Sequence, residues 1–193
     1  MDSNSNEHVN GRAVAERWVL LIYTVPASPT SKRAAVWREI KRLGAMYLRD
    51  GVCVLPDTTD ARAGLEALAA RINALGGQST LVRDAYLSTS TADDLRDELA
   101  RERRAEYTEV AEATTGLQRY IREETSHHAL DQAARASISG DIRRLRRWLE
   151  QVRARDYLHA GDATQTLALL TACSAELESD AVPQDSSGRR VRL

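Results

Sequence analysis

Two short stretches of the chain are continuously hydrophobic, without the alternation of a half-exposed strand. They are WVLLIYTV at residues 18–25 and VCVL at residues 52–55. Apolar runs of this length, bounded by turn residues, predict strands that are covered on both faces. Pro26 ends the first run, because proline cannot continue a hydrogen-bonded ladder. We therefore expect both segments at the middle of a sheet.

Two further strands, at residues 45–49 and 80–87, contain polar positions. The segments Met46-Tyr47-Leu48-Arg49 and Thr80-Leu81-Val82-Arg83 carry the charged and hydroxyl side chains typical of sheet edges. Asp50-Gly51, between the second and third strands, predicts a two-residue type I′ turn. These two strands are therefore expected at the edges.

Apolar residues at helical spacing predict one helix after the first strand and another after the third. In the first helix, Thr30 or Ser31 is the expected cap, Trp37 is expected in the core, and Gly44 ends the helix. Gly76-Gly77 ends the second. The resulting order predicts an α+β fold with a ferredoxin-like βαββαβ antiparallel sheet, in which strands one and three are central.

Beyond residue 88 the pattern is helical alone, which predicts a C-terminal helical extension of about three helices. Ser90 with Asp93, or Thr91 with Asp94, suits a capping box, and Asp141 is expected to lead into a later helix. We expect a disordered tail at 1–16, a ferredoxin-like domain at 17–88, the helical extension at 89–180, and a second disordered tail at 181–193.

The composition indicates the cellular compartment of the protein but not its activity. The formal net charge is −1, so any basic surface must be local. Cys53 and Cys173 lie far apart and lack the spacing of a disulfide framework or a metal site, which fits buried thiols in a reducing compartment. No apolar run approaches the ~18 residues of a membrane span, and the first residues contain no signal-like apolar region. We expect a cytoplasmic protein without a membrane partner.

The strongest basic feature is a run of arginines on one predicted helix. Arg143, Arg144, Arg146 and Arg147, with Trp148 among them, are candidates for binding DNA phosphates or an oxyanion, because guanidinium groups match such anions. The alternative is a solvated helix face opposite an apolar stripe, and the charge pattern alone favours it.

A second candidate is a small anion-binding loop at the start of the first helix. Ser31, Lys32 and Arg33 combine a helix N-terminus with two cations. Simple capping with a pair of surface cations is the alternative, and it is the favoured interpretation.

Catalytic chemistry has little support in the sequence. The pairs Glu123/His127 and Glu124/His128 are four residues apart and could chelate a divalent metal on a helix, but no further ligand is evident. No phosphate-binding glycine loop, metalloprotease motif or nucleophile elbow is present. We therefore expect a protein that is not an enzyme and has no metal or cofactor, with a metal-dependent enzyme as the less favoured alternative.

The chain resembles the N-terminal domain of the chromate resistance protein ChrB family. The resemblance is carried by WVLLIYTVPASPTSKRAAVWREIKRLGAMYLRDGVCVLP, by the segment AEYTEV and by IRRLRRWLEQVRARDYL, and it spans about residues 17–178. The block VWREIKRLGAMYLRDGVCVLP is also similar to the ferredoxin-like domain of PaaX-type transcriptional repressors. Those domains in turn resemble the CRISPR-associated adaptation endonucleases, whose metal-binding Asp at the end of the first strand has no counterpart in Ile22-Tyr23-Thr24-Val25-Pro26.

This resemblance implies a cytoplasmic regulator of chromate stress that acts in transcriptional control of a chromate efflux transporter. Because the two crossover helices cover only one face of the apolar central strands, we expect the C-terminal helices, a second subunit or both on the other face, and hence a homodimer. The basic helix makes DNA, and chromate or another oxyanion, the expected ligands. Full-length relatives carry a C-terminal domain, so an interaction module that requires a separate chain with that domain is the alternative. The resemblance identifies no functional residues.

Overall fold

The computed structural model describes residues 17–127 and 130–180, and the chain divides after Leu95 into two compact units. Both predicted tails lie outside the described residues. The first unit contains a sheet with two helices, and the second is built from helices. The predicted domain boundary at residue 88 stays a prediction, since compactness alone does not test independent folding.

The four strands form one antiparallel sheet in the order β2-β3-β1-β4. Their bounds are β1 (Trp18–Thr24), β2 (Met46–Arg49), β3 (Val52–Pro56) and β4 (Gln78–Ala85). The two continuously apolar segments are therefore central, and the two polar ones are at the edges. With a crossover helix after β1 and another after β3, this confirms the predicted ferredoxin-like α+β fold.

Five helices accompany the strands in the described part of the chain. Their bounds are α1 (Thr30–Leu43), α2 (Thr59–Ala74), α3 (Thr89–His127), α4 (Gln132–Ala154) and α5 (Thr164–Asp180). Among the described residues, no helix combines the length and apolar character needed to cross a membrane.

One face of the sheet packs under the crossover helices. Val19 pairs with Leu55 and Leu21 with Cys53, and all four side chains are fully buried. On β4, the Ser79 hydroxyl donates to the Ala69 carbonyl of α2 at 3.2 Å. Because side chains alternate along a strand, Tyr23 of β1 lies on this same face, at the end where the chain leaves the sheet.

Helix α1 contacts the core at Ile40 and Leu43, which fit the helical spacing read from the sequence, but at Val36 rather than at Trp37. Val36, Ile40 and Leu43 are buried, whereas Trp37 is 54% exposed. The prediction that Trp37 fills the core is therefore wrong, because neighbouring residues on a helix are about 100° apart and the stripe runs through Val36. The cap was also predicted wrongly: Pro29 is the N-cap, and it makes no side-chain capping bond.

The hairpin between β2 and β3 has a turn that differs from the predicted type I′. Gly51 has a φ of +72°, but the φ of Asp50 is not positive. A type I′ turn requires positive φ at both central positions. The register shifts between Tyr47 and Arg49, and this irregularity is where the hairpin departs from regular pairing.

The structure assigns new residues to two of the predicted helix starts. Ser88 Oγ accepts from the Thr91 backbone N–H at 3.4 Å, so α3 begins ahead of both predicted capping boxes. Helix α4 begins at the N-cap Asp131, whose carboxylate accepts from the Ala134 N–H at 2.7 Å. Asp141 lies in the middle of α4 and caps nothing.

The helical unit has its own apolar core. It includes Val110 and Ile121 of α3, Leu149 and Val152 of α4, and Leu170 of α5, all fully buried. Cys53 and Cys173 are free and buried in the two units, as expected, and burial raises the pKa of both thiols, that of Cys53 to about 12.

Candidate functional site

The four candidate arginines of α4 do not share one position around the helix. Ile142, Leu145 and Leu149 face the core, and the arginines occupy the remaining surface. With about 100° per residue, Arg143 and Arg147 point away from the buried stripe, whereas Arg144 and Arg146 lie on its opposite flanks. The run in the sequence is thus one outward pair and two flanking residues.

The flanking arginines have partners within the helical unit. Arg144 pairs with Asp141, with Nη2 and Oδ1 2.6 Å apart, and Arg146 Nη2 donates to the Ser174 hydroxyl of α5 at 3.1 Å. Arg143 and Arg147 are exposed and have no hydrogen-bond or ion-pair partner among residues 17–127 and 130–180. The outward pair is therefore available to a ligand.

The residues around that pair have mostly small side chains and few carboxylates. Ala136 and Gly140 precede Arg143 on the same outward face, and Gln151 and Ala154 follow Arg147. The carboxylate of Glu150 lies to one side, where its Oε1 pairs with Arg153 Nη1 at 2.9 Å. Short side chains allow an extended anion to approach the helix backbone, with the two guanidinium groups at the centre.

The predicted anion loop is not brought together as a single site. Lys32 Nζ donates to the Leu75 carbonyl at 2.8 Å, so this ammonium caps the end of α2. Ser31 is exposed in the first turn of α1. Arg33 instead lines a pocket on the other side of the helix start, with aromatic neighbours that sequence reasoning did not connect to it.

That pocket is a concave space of about 530 Å³ between α1, the end of β1 and the β2–β3 hairpin. Its walls include the residues Tyr23, Val36, Trp37 and Tyr47, with Arg33 and Asp50 as charged groups. The Tyr23 and Tyr47 side chains interact with each other in this wall. Burial, the largest cause, raises the pKa of both phenols, so both are neutral near pH 7.

The proposed metal ligands are only partly described. Glu123 and Glu124 are exposed near the end of α3, the side chain of His127 is not described, and His128 lies outside the described residues. Within the described part of the chain, no three His, Cys, Asp or Glu side chains are grouped so that they could hold a metal ion. The geometry thus adds nothing to the metal hypothesis.

Comparison with known proteins assigns the family. A family model described as Protein ChrB, N-terminal, matches residues 33–183. The chain belongs to the ChrB N-terminal family. The match covers α1 from Arg33 onward, the hairpin and α4, so most of the pocket wall and all four arginines lie inside the ChrB-type region.

A curated relative extends this comparison. Protein ChrB of Cupriavidus metallidurans is 30% identical over 141 residues, which is 72% of this chain and 40% of the relative. The chain thus spans well under half the length of the curated ChrB protein that it matches. No solved structure matches the chain.

Two segments that carry the ChrB resemblance meet in the helical unit. The Tyr107 side chain interacts with the buried Asp156, which accepts from the backbone N–H groups of Ala160 at 2.9 Å and Gly161 at 3.2 Å. A Cβ on Gly161 would lie 2.0 Å from the Tyr107 ring. Burial, and next the charge of Asp156, raise the pKa of Tyr107 to about 12. This cluster holds the chain between α4 and α5 against α3, so we interpret it as structural.

Proposed function

We propose that this chain is the DNA-contacting part of a cytoplasmic, dimeric regulator linked to chromate resistance, acting in transcriptional control of chromate efflux. Membership of the ChrB N-terminal family supports the link to chromate resistance. In this proposal the chain binds and regulates rather than catalyses. The observation that carries DNA contact is the outward pair on α4.

Arg143 and Arg147 suit phosphate contact for electrostatic and geometric reasons. They are four residues apart on an exposed helix face, and neither is neutralised by a described acidic side chain. Each phosphate that a protein cation neutralises releases counterions, which makes binding steeply dependent on salt. Because the net charge of the chain is −1, this contact depends on local charge rather than on the overall charge.

The small residues beside the pair favour a helix that lies close to the duplex. Ala136 and Gly140 leave the helix backbone accessible on the outward face. A major groove about 12 Å wide admits an α-helix. The flanking Arg144 and Arg146 extend the basic surface when their partners exchange for phosphate, so they are supporting residues in this proposal.

The test is DNA affinity as a function of salt. Fluorescence anisotropy with a labelled mixed-sequence duplex of about 30 base pairs should show affinity falling steeply between 50 and 200 mM salt. The double variant R143A/R147A should bind at least ~10-fold more weakly at low salt, with a log–log salt slope shallower by about 2. Circular dichroism should show unchanged helix content, since both residues are exposed.

The matched control removes two paired arginines from the same unit. In R101A/R122A the net charge falls by the same amount, but Arg101 and Arg122 are paired with Glu98 and Glu176. We expect this variant to keep nearly the wild-type slope. Equal affinities and slopes for wild type and R143A/R147A would refute the proposed interface.

The same pair of guanidinium groups could instead hold an oxyanion such as chromate. Chromate and sulfate are both tetrahedral dianions, so competition against labelled DNA at equal ionic strength separates specific binding from screening. Stronger displacement by chromate, lost in R143A/R147A, would place the oxyanion at α4. Equal displacement by both anions would leave DNA phosphate as the ligand of this surface.

The oligomeric part of the proposal needs its own measurement. Sedimentation of the purified chain should give the mass of a dimer. A monomer that associates only with a chain carrying the C-terminal domain of full-length ChrB relatives would favour the alternative, an interaction module.

A further inference from the structure

We propose that the pocket between α1, β1 and the β2–β3 hairpin binds a small ligand in which a planar aromatic ring carries an anionic group. This site is separate from the arginines of α4, and it goes beyond the proposed function.

Two large aromatic rings at this pocket are left open to solvent. Trp37 is 54% exposed and Tyr47 is 40% exposed, and both line the same concave space as the half-buried Tyr23. Single exposed apolar residues are ordinary, but aromatic rings gathered around one pocket indicate a binding surface. The core does not require Trp37, because Val36 and Ile40 are the residues through which α1 packs against it.

The wall is held in place without a ligand. The Tyr23 N–H donates to the Gly51 carbonyl at 2.7 Å, which ties the hairpin turn to the end of β1. A Cβ on Gly51 would lie 2.7 Å from the Tyr23 carbonyl oxygen, so only glycine allows this approach. The side chains of Tyr23 and Tyr47 also interact between the same two parts of the wall. A preformed wall lowers the entropy cost of binding.

The charges select the kind of ligand. Arg33 lines the pocket, and no partner for its guanidinium lies among the residues that the structure describes. The adjacent Lys32 is held by the Leu75 carbonyl, so Arg33 is the cation that faces the ligand. Asp50, the pocket's carboxylate, accepts hydrogen bonds and repels a simple anion. One kind of ligand suits all three residues. Its planar ring stacks on Trp37, its hydrogen-bond donors contact Asp50, and its anionic group pairs with Arg33.

Purine nucleotides are suitable probes, because the base supplies a planar ring with N–H donors and the phosphate supplies the anion. We would titrate the full chain with GMP and AMP by calorimetry and by saturation-transfer NMR. Guanosine lacks the anionic group, and ribose 5-phosphate lacks the aromatic ring. We expect the nucleotides to bind at least ~10-fold more tightly than ribose 5-phosphate, since only the nucleotides have a base that stacks on an aromatic ring.

Variants assign each part of the ligand to a residue. W37A should weaken GMP binding at least ~10-fold and W37F should restore most of it, because a phenyl ring still stacks. R33A should weaken GMP binding by a similar factor but leave guanosine binding unchanged. R38A removes an exposed arginine of the same helix that does not line the pocket, and it should change nothing.

Three outcomes would overturn the proposal. They are the absence of saturable binding by either nucleotide, equal affinity for GMP and ribose 5-phosphate, and unchanged GMP affinity in W37A. The DNA assay on α4 is independent of these results, so a failure here does not bear on the regulator proposal. The three substituted residues, Arg33, Trp37 and Arg38, are all exposed, and unchanged circular dichroism would exclude misfolding as the cause of a loss.

Discussion

Gly51 shows how a single residue shapes the candidate pocket. Its φ of +72° lies in the left-handed region, where a residue with a Cβ is strained. Its close approach to the Tyr23 carbonyl oxygen also leaves no room for a side chain. The turn, the end of β1 and the aromatic wall therefore depend on the absence of one methyl group.

We expect Gly51→Ala to lower the free energy of unfolding of the first unit by about 2 kcal/mol, through backbone strain and steric overlap. Urea unfolding measures this change. Gly116→Ala is the control, because a Cβ there meets nothing within 4 Å and the position lies inside α3. It should stabilise the helical unit by up to ~1 kcal/mol. A Gly51→Ala variant as stable as wild type would contradict this account of the turn.

At the scale of the element, α4 is longer than its charge pattern suggests. The helix begins at Gln132, and the buried stripe extends back to Ile138. The Asp131 carboxylate accepts from the Ala134 N–H in the first turn, whereas Asp141 pairs with Arg144 on the surface. An aspartate before an apolar repeat is a cap only where the helix actually starts, and packing decides that place.

The two aspartates should therefore differ in mutational cost. We expect Asp131→Ala to destabilise the helical unit by about 1 kcal/mol, the usual value for a lost N-cap. Asp141→Ala removes one exposed i,i+3 ion pair and should cost less than ~0.5 kcal/mol. Chemical denaturation followed by circular dichroism compares them. The reverse order would mean that the helix starts near Asp141, as the sequence pattern predicted.

At the scale of the whole molecule, each unit contains a titratable side chain with a shifted pKa: Asp57 in the first unit and Tyr107 in the second. In the first unit, Asp57 accepts from Arg62 Nη2 at 2.9 Å and from the Asp84 N–H at 2.8 Å, and the Arg62 bond is the main reason why its pKa lies below the ordinary value. In the second unit, Tyr107 is buried beside Asp156, and its pKa lies near 12. Asp57 thus contributes to the loss of stability in acid, and Tyr107, together with the buried Cys53 thiol, contributes to the loss in alkali.

Stability should fall at both ends for opposite reasons. Asp57, with its lowered pKa, stabilises the folded chain above about pH 4, and this contribution is lost as pH falls through its folded value. Tyr107, with its raised pKa, contributes fully below about pH 10 and loses its contribution as pH rises toward 12.

Urea unfolding at about pH 3, 7 and 11 tests both limbs. Asp57→Asn should lower stability at pH 7 and flatten the acid limb alone, and Tyr107→Phe should flatten the alkaline limb alone. Unchanged limbs in both variants would show that other groups control the pH dependence.

The sheet was predictable, because the residues that decide it act locally. Trp18–Thr24 and Val52–Pro56 are apolar on both sides, as is typical of central strands. The expected cover of both faces is only partly present, because Trp18 and Val54 are buried on the second face whereas Ile22 is 45% exposed there. The end of α1 at Gly44 was predictable for the same reason, since the left-handed glycine satisfies backbone groups beside it in the chain. The helical spacing of the apolar residues in α4 was likewise predictable from the sequence.

The candidate sites required the tertiary structure. The period of a helix is a local property, but its phase is set by what it packs against, which is why Trp37 lies at a pocket and Val36 in the core. Which of the arginines 143–147 remain unpaired depends on α5 and on Asp141, and the place of Arg33 beside Tyr47 depends on the hairpin. The sequence by itself determined the architecture and the family resemblance. Only the folded chain decided which charged and aromatic groups face solvent together, because those contacts join residues far apart in sequence.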